Sequence, residues 1–197
     1  DLDPHMFDTA LTSADFIFLA KGAGMTIVVT LISVAVGTIL GIIFGVFRYQ
    51  VGALWAAPLT FVLDISRSIP LLIQLVLANA FIGTILRLKM SGFTVACVVL
   101  SLYTAAFCAE IVRGGIEAVP SNTRRAARSL GLSWAQDMRE IVLPLATRVA
   151  LPSWIGLALG VMKDSALVYV VQVTEPLKSP QILITRLQEP LLLLMIC

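Results

Sequence analysis

The chain has 197 residues, of which 58% are hydrophobic and 13% are charged, and its formal net charge is +2. Soluble globular domains carry about 25% charged residues, so this composition argues against a soluble protein, and so small a charge does not indicate a nucleic-acid partner. Several apolar runs exceed the ~18–20 residues with which a helix crosses a bilayer. The composition therefore predicts an all-α polytopic membrane protein in which residues 1–197 form a single transmembrane domain.

The polar, acidic tail before the first apolar run contains the single histidine, His5. A lone histidine in such a tail does not supply a metal or catalytic centre, so no metal site is expected. Cys97 and Cys108 lie inside an apolar run and are expected to be small packing residues. Because the sequence begins at Asp1 rather than at a methionine, we expect a fragment or a processed product.

The first predicted span covers residues 16–47, with an interruption at residues 21–24 before the apolar run resumes. Gly37, Gly41 and Gly45 follow each other at intervals of four, so they share one face of the helix. Small residues at this spacing allow a second helix to approach closely. The pattern therefore predicts a packing seam along the first span.

The second apolar stretch, residues 53–86, is too long for one crossing, since a straight helix of this length spans ~50 Å against ~30 Å of hydrocarbon. Pro70 removes a backbone donor and disfavours helix at Ile69, so a break is predicted within residues 64–70. Non-helical backbone at membrane depth is tolerated only where protein or a water-filled cavity lines it. Asp64 and Arg67 lie three apart and are predicted to pair.

Further spans are predicted at residues 93–112 and 149–171, and residues 182–197 begin a last span that is incomplete in this sequence. Five transmembrane helices are therefore expected, the fifth in part. The fourth span carries Lys163-Asp164-Ser165 in its interior. It also contains a second pair of glycines at an interval of four, Gly156 and Gly160.

Residues 121–144, here called the elbow, form a polar segment between the third and fourth spans. Ser121 or Asn122 is predicted to cap a first short helix, and Gly131 is predicted to end it in a left-handed conformation. Ser133 and Gln136 have the spacing of a capping box.

A second elbow helix is therefore predicted to begin at Ser133 and to stop before Pro144. The small Ala126-Ala127 pair is expected to leave a flat surface that another protein covers. A capped helix pair of this kind predicts a docking element in the aqueous phase.

The distribution of positive charge predicts the topology. Cytoplasmic loops carry an excess of Lys and Arg, which places the elbow in the cytoplasm and the N-terminus outside. Seven cations then lie inside and four outside: Arg48, Arg113, Arg124, Arg125, Arg128, Arg139 and Arg148 against Lys21, Arg87, Lys89 and Lys178.

Ionisable residues within membrane spans are functional candidates by default, because they are costly to place there. The candidates are Asp64, Arg67, Glu110, Lys163 and Asp164. They contain no nucleophile–base pair, and the sequence has no G-x-x-x-x-G-K-[ST] motif, so neither catalysis nor ATP binding is expected on this chain. Walls of both charge signs suit a zwitterionic or charged solute. The alternative is that these charges form internal ion pairs that hold the helices together.

The elbow resembles the EAA motif of ATP-binding-cassette importer permeases, A-A-x3-G-x9-I-x-L-P. Ala126-Ala127, Gly131 and residues 141–144 stand at the spacing of this motif. Four further segments are similar to the polar amino acid branch of the family: residues 67–70, 109–114, 118–120 and 163–168.

This resemblance implies a type I importer permease of five spans. Two permease subunits, identical or related, would bind two ATPase subunits and an external solute-binding protein, with ATP and Mg on the ATPases and no cofactor on this chain. The solute would be a polar amino acid, and the cell membrane the inner, cytoplasmic membrane of a bacterium. The residues implied to couple to the ATPase are Arg125, Ala126, Ala127, Gly131, Leu132, Ile141, Leu143 and Pro144. A substrate path would be walled by Arg67, Ser68, Glu110, Asp164 and Ser165.

Two points stay open at the level of the sequence. The first is that the family usually has glutamate where this chain has Arg125. Three explanations are open: the docking cleft of the ATPase has a different complementary charge, a second and different permease subunit keeps the glutamate, or this copy couples weakly to the ATPase. The competing function is an ion-coupled secondary transporter or channel that uses Asp64, Glu110 and Asp164. A membrane-embedded enzyme is disfavoured because no catalytic constellation is present.

Overall fold

The computed structural model describes residues 13–82 and 90–168. The expectations for the tail with His5 and for the last span at residues 182–197 lie outside these residues. The described elements are helices α1 (Ser13–Gln50), α2 (Gly52–Ser68), α3 (Leu71–Ala80), α4 (Gly92–Glu117), α5 (Ser121–Ser129) and α6 (Trp134–Gln136), a π-helical turn (Asp137–Val142), α7 (Leu143–Asp164) and a 3-10 turn (Ser165–Leu167).

In the described part of the chain, three helices are long and apolar enough to cross a membrane: Gly22–Gln50, Gly92–Glu117 and Trp134–Asp164. The bent pair α2–α3 adds a fourth if it counts as one span. The all-α polytopic class predicted from composition is confirmed.

Helix α1 is continuous over 38 residues and runs through residues 21–24, where the apolar run is interrupted. Gly22 and Gly24 lie inside the helix. A glycine costs about 1 kcal/mol relative to alanine in a helix interior. Two such residues do not end a helix whose neighbouring turns are strongly apolar.

Helix α1 packs along α4 at the predicted glycine seam. A Cβ atom at Gly37 would lie 2.5 Å from Cβ of Thr104, and one at Gly41 would lie 2.5 Å from Cβ of Cys108. At Gly45 the added atom would meet the backbone oxygen of Ala109 at 2.7 Å. The seam therefore requires glycine, because any side chain would push the two helices apart.

The cysteines of α4 are packing residues, as predicted. Cys97 and Cys108 are both buried and both free thiols. Cys97 belongs to a core cluster with Leu75 and Leu100, and Cys108 lies against Gly41.

The chain turns by 105° between α2 and α3. Helix α2 ends at Ser68, Ile69 is extended with ψ 128°, and Pro70 precedes α3. The last carbonyl groups of a helix have no partner within it. Here Nε2 of Gln74 donates to the backbone oxygens of Ser66 at 2.5 Å and of Ile69 at 2.8 Å, which satisfies two of them inside the break.

The sequence predicted that the second elbow helix stops before Pro144. This prediction is wrong, because the helix continues through the π-helical turn into α7. The backbone N–H of Leu143 donates to the carbonyl of Met138, five residues back. The wider turn places Pro144 in the first turn of α7, where a missing donor costs little. The candidate span here is Trp134–Asp164, which begins before the predicted start at residue 149, and the predicted residues 169–171 lie outside the described part of the chain. Lys163 lies in the last turn of α7.

Candidate functional site

The carboxylate of Glu110 is shared by arginines from three helices. From α1, Arg48 Nη1 lies 3.1 Å from Glu110 Oε2, and from α2, Arg67 Nη1 lies 3.7 Å from the same oxygen. Arg113, on α4 itself, donates to Oε1. Arg48 also donates from Nε to Oγ1 of Thr60 at 3.0 Å. This Glu110 cluster joins α1, α2 and α4.

Two more carboxylates complete the cluster. Asp64 Oδ1 lies 2.5 Å from Arg67 Nη2, which confirms the pairing predicted from their spacing. Arg113 Nη1 lies 2.6 Å from Glu117 Oε1. The guanidinium of Arg67 also sits 6.0 Å from the ring centroid of Phe107, within the range of a cation–π contact. Positive and negative groups therefore alternate through the cluster.

A cleft of about 600 Å³ opens beside the cluster, between α1, α2 and α4. Arg48 and Arg113 line it with positive charge, and Asp64 and Glu117 line it with negative charge. A wall of both signs presents hydrogen-bond donors and acceptors together. Chemically, such a wall suits a zwitterion or a charged solute better than an apolar one.

The structure brings together only some of the residues predicted to line a substrate path. Arg67 and Glu110 are paired in the cluster. Ser68, one residue further along α2, is exposed and donates from Oγ to the backbone oxygen of Asp64 at 2.8 Å.

The other two predicted path residues lie at a different level of the bundle. Asp164 ends α7, and Ser165 is buried and donates to the backbone oxygen of Met162 at 2.6 Å. Their neighbour Val161 belongs to the core cluster that includes Leu100. At 1.5 Å per residue, about 15 Å of α4 separates Leu100 from Glu110.

The first elbow helix ends as predicted and begins differently. Gly131 has φ 84°, in the left-handed region. The N–H of Gly131 donates to the carbonyl of Arg128 at 3.0 Å, and that of Leu132 to the carbonyl of Ala127 at 3.2 Å. This pair of bonds is a Schellman motif. The predicted N-cap at Ser121 or Asn122 is wrong, because Pro120 occupies that position and no side chain caps the helix.

The capping box of the second elbow helix is confirmed. Ser133 N donates to Gln136 Oε1 at 2.9 Å, and Gln136 N donates to Ser133 Oγ at 3.4 Å. Two of the four unpaired donors at this helix start are thereby satisfied.

The exposed face of the elbow differs from the flat alanine surface predicted. Ala126 is exposed, but Ala127 is only 3% exposed and belongs to the interior. The most prominent apolar groups are Leu130, 81% exposed, and Trp134, 55% exposed. Both residues flank the Gly131 turn, and this position beside a turn was the feature of the sequence that could have predicted their exposure.

The remaining side chains of this face, and of the predicted coupling set, vary in exposure. Arg125, Arg128, Gly131, Leu143 and Pro144 are exposed, whereas Leu132 and Ile141 are partly buried. The face of the elbow formed by Arg125, Arg128, Leu130 and Trp134 is called the docking face below.

On its opposite side the elbow is held by a polar contact that sequence reasoning missed. Arg124 donates from Nε and Nη2 to Oδ2 of Asp137, at 2.9 and 2.8 Å. Its Nη1 donates to the hydroxyl of Tyr49 at the end of α1. The hydrogen bonds that Arg124 donates to Asp137 are the main reason that the pKa of Arg124 is raised above its ordinary value.

An apolar cluster lies beside this contact. Its buried members are Ile116, Val119, Met138, Val142 and Ala146, and Val46, Tyr49, Val112 and Leu145 pack against it. The elbow therefore rests on the ends of both α1 and α4.

These features define a helical, multi-pass membrane protein with a charged cluster between its helices and a capped polar elbow at one end. The family described as "Binding-protein-dependent transport system inner membrane component" matches residues 37–186. The chain belongs to this family, and within it to the polar amino acid ABC transporter permeases. The resemblance drawn from the elbow is thereby confirmed.

The relatives agree with this assignment. The probable amino-acid ABC transporter permease protein YckA of Bacillus subtilis is 33% identical over 91% of this chain and 79% of its own length. The arginine transport system permease protein ArtQ of the same organism is 29% identical over 83% of this chain and 75% of its own.

Solved structures show the same fold. A crystal structure of an amino acid ABC transporter with histidines matches with a TM-score of 0.66 and 26% identity, over 89% of this chain and 91% of that one. An inward-facing structure of the MetNI methionine ABC transporter matches with a TM-score of 0.67 and 24% identity, over 80% of this chain and 76% of that one.

Proposed function

We propose that this chain is the membrane-spanning subunit of an ATP-driven importer. It moves a polar amino acid across the cytoplasmic membrane by alternating access, and its elbow couples it to a separate ATPase subunit. The observation that carries this proposal is the elbow itself, whose two sides have different partners. One side is anchored to α1 and α4, and the other presents the docking face to solvent.

The docking face has the composition of a protein interface. Exposed Trp and Arg residues are enriched at the centres of interfaces, where an aromatic anchor fills a pocket. Trp134 and Leu130 supply apolar anchors at the Gly131 turn, and Arg125 and Arg128 add two positive charges. Its matching surface on the ATPase would be a cleft that holds the apolar tip and carries carboxylates for the arginines.

We place the elbow in the cytoplasm and the N-terminus outside. The positive-inside rule supports this orientation, since seven Lys and Arg residues then lie on the cytoplasmic side and four on the outer side. ATP and Mg would bind the two ATPase subunits, because this sequence has no phosphate-binding motif. A second permease subunit and an external solute-binding protein complete the proposed assembly.

The proposed solute is a polar amino acid. The mixed charges of the cleft beside the Glu110 cluster suit an ammonium and a carboxylate group together, and the relatives' names include arginine and glutamine transport. Arg67, Ser68 and Glu110 are proposed for one level of the path, and Asp164 and Ser165 for another.

Alternating access requires a body that packs in two ways. The broken α2–α3 segment and the Glu110 cluster are the parts proposed to rearrange. Ion pairs that join three helices can exchange partners as the helices shift, without leaving any charge unpaired.

The alternative, an ion-coupled carrier or channel, is disfavoured by the same cluster. Glu110 and Asp64 each accept hydrogen bonds from arginine and are held in ion pairs, so neither carboxylate is free to take up and release an ion. A carboxylate that carries protons must lose and regain its charge during transport.

The decisive experiment is reconstitution in proteoliposomes of this chain with a candidate ATPase and a candidate solute-binding protein from the same organism. We expect uptake of labelled arginine or glutamine that requires ATP, and hydrolysis of ATP that rises when the loaded binding protein is added. The control is an ATPase whose phosphate-binding lysine is replaced by alanine. Uptake that persists with this control and collapses when an ionophore removes the ion gradient would overturn the importer proposal.

A further inference from the structure

We infer that Tyr49, Arg124 and Asp137 form a link that transmits displacement of the elbow to α1. This inference rests on the proposed function, in which the elbow receives the motion of the ATPase. The three residues come from three elements: α1, α5 and the π-helical turn that leads into α7.

The geometry of the link is centred on Arg124. Its Nε and Nη2 both bond to Oδ2 of Asp137, at 2.9 and 2.8 Å, and its Nη1 bonds to the hydroxyl of Tyr49. The guanidinium also lies 5.9 Å from the centroid of the Tyr49 ring. A planar guanidinium can hold two partners in fixed directions at once, which an ammonium group cannot.

Burial makes the bond between Arg124 and Asp137 hard to open. The side chain of Asp137 is 2% exposed and that of Arg124 is 15% exposed. Oδ1 of Asp137 has no hydrogen-bond partner among the described residues. The ion pair of Oδ2 with Arg124 is therefore what compensates the buried charge in the described part of the chain. Separating the two would leave an unpaired charge in the interior, a strongly unfavourable state. The pair should therefore stay closed while the elbow moves.

The shape of the elbow does not depend on Tyr49. The Gly131 turn and the Ser133–Gln136 capping box are built from bonds within residues 127–136. The Tyr49 hydroxyl connects Arg124 of the elbow to α1, and the two residues are 75 positions apart in the sequence. Its role is therefore separable from the folding of the elbow.

From Tyr49 the displacement has a direct route into the membrane. The preceding residue, Arg48, is paired to Glu110 at 3.1 Å and is 7% exposed. Helix α1 also packs tightly on α4 along the glycine seam. Adjacent residues of α1 thus contact the elbow on one side and the Glu110 cluster on the other.

The test is Tyr49→Phe, which removes the hydroxyl and keeps the ring that packs on the elbow. Tyr103→Phe, on α4, is the matched control. In proteoliposomes with the ATPase and binding protein, Tyr49→Phe should assemble and keep its basal ATP hydrolysis. Uptake per ATP hydrolysed should fall by about fivefold or more, which is the lower range of typical coupling between sites. Unchanged uptake per ATP would overturn the link.

A second measurement needs neither ATPase nor solute. Spin labels at Gln50→Cys and Ser129→Cys, in the purified chain with its native cysteines replaced by serine, report the distance between the end of α1 and α5. We expect a narrow distribution that broadens in Tyr49→Phe and stays narrow in Tyr103→Phe. Equal widths in Tyr49→Phe and the parent would contradict the link. Absence of ATP-dependent uptake in the unmutated chain would instead contradict the proposed function.

Discussion

Arg48 and Glu110 lie 62 positions apart in the sequence and form an ion pair of 3.1 Å between α1 and α4. Arg48 is 7% exposed and Glu110 is 31% exposed, so the pair is largely withdrawn from solvent. Removal of one partner from a fully buried ion pair costs about 3–5 kcal/mol, because the other charge stays buried and uncompensated. The Glu110 cluster is therefore a main determinant of the packing of this chain.

Glu110→Gln should lower the thermal unfolding temperature of the purified chain markedly. Because Glu110 is partly exposed, the expected loss in the free energy of unfolding is ~2–3 kcal/mol, less than for a fully buried pair. Glu117→Gln is the matched control, because Glu117 is 51% exposed and pairs with Arg113 at the surface. An exposed pair is worth about 0–1 kcal/mol. Stability is measured by thermal unfolding in detergent. Equal destabilisation by the two substitutions would contradict a structural role for Glu110 at the centre of the cluster.

Gly131→Val should prevent docking of the ATPase and leave insertion in the membrane intact. Gly131 has φ 84°, and no atom lies within 4 Å of a Cβ placed there, so the effect is one of backbone strain and not of a clash. An L-residue in the left-handed conformation costs about 1–2 kcal/mol, and a β-branched residue resists it further.

Gly114→Val is the control for this prediction, since Gly114 is helical and also has open space around an added Cβ. Co-purification of the ATPase with each variant is the measurement. Docking that survives Gly131→Val would show that the left-handed turn is dispensable.

Gly41→Ala should separate α1 from α4. The added methyl would lie 2.5 Å from Cβ of Cys108 and 3.0 Å from the backbone oxygen of Ala105. Overpacking of this kind costs about 1–3 kcal/mol. The thiol of Cys108 should also react faster with a maleimide, because the seam that covers it opens.

Gly156→Ala tests whether the seam or the glycine content matters. Gly156 has nothing within 4 Å of an added Cβ among the described residues, so the substitution should leave the stability of this chain unchanged or raise it by up to ~1 kcal/mol. The measurement is thermal unfolding of both alanine variants. A similar loss of stability in the two would contradict the claim that close packing at the seam requires glycine.

Arg125→Glu restores the residue usual in the family and tests the sign of the partner cleft. If the cleft carries carboxylates, association with the ATPase should weaken about tenfold, or ~1.4 kcal/mol. The difference should shrink at about 1 M salt, where the Debye length is ~3 Å.

Arg139→Glu is the control, because Arg139 is 84% exposed and lies off the docking face. The binding affinity of each variant for the ATPase, measured at low and at high salt, shows whether the cleft favours a positive or a negative residue at position 125. Tighter binding by Arg125→Glu would instead favour a cleft built for glutamate, as expected if a second permease normally supplies that residue.

Features that depend on a few neighbouring residues were predictable from the sequence. The break at Pro70 follows from a missing donor, the turn at Gly131 from a left-handed φ, and the Ser133–Gln136 box from two side chains one turn apart. Each of these has its physical cause within about one helical turn. The structure agrees with the sequence at all of them.

Local reasoning failed where the surroundings override a local preference. Pro144 does not end its helix, because the preceding π-helical turn places it in a first-turn position. Either Ser121 or Asn122 was expected at the N-cap of α5, but Pro120 occupies that position.

The class of this protein, the break at Pro70 and the elbow with its family-specific spacing were all recognisable in the amino-acid sequence. Composition, periodicity and turn chemistry act locally, so they can be recognised without a fold. Which of the two equally spaced glycine sets packs closely depends on the arrangement of distant helices: Gly41 contacts α4, whereas a Cβ added at Gly156 would meet no atom within 4 Å among the described residues. The convergence of Arg48 and Arg67 on Glu110 has the same origin, because such pairs depend on how distant helices come together and leave no signal in their spacing.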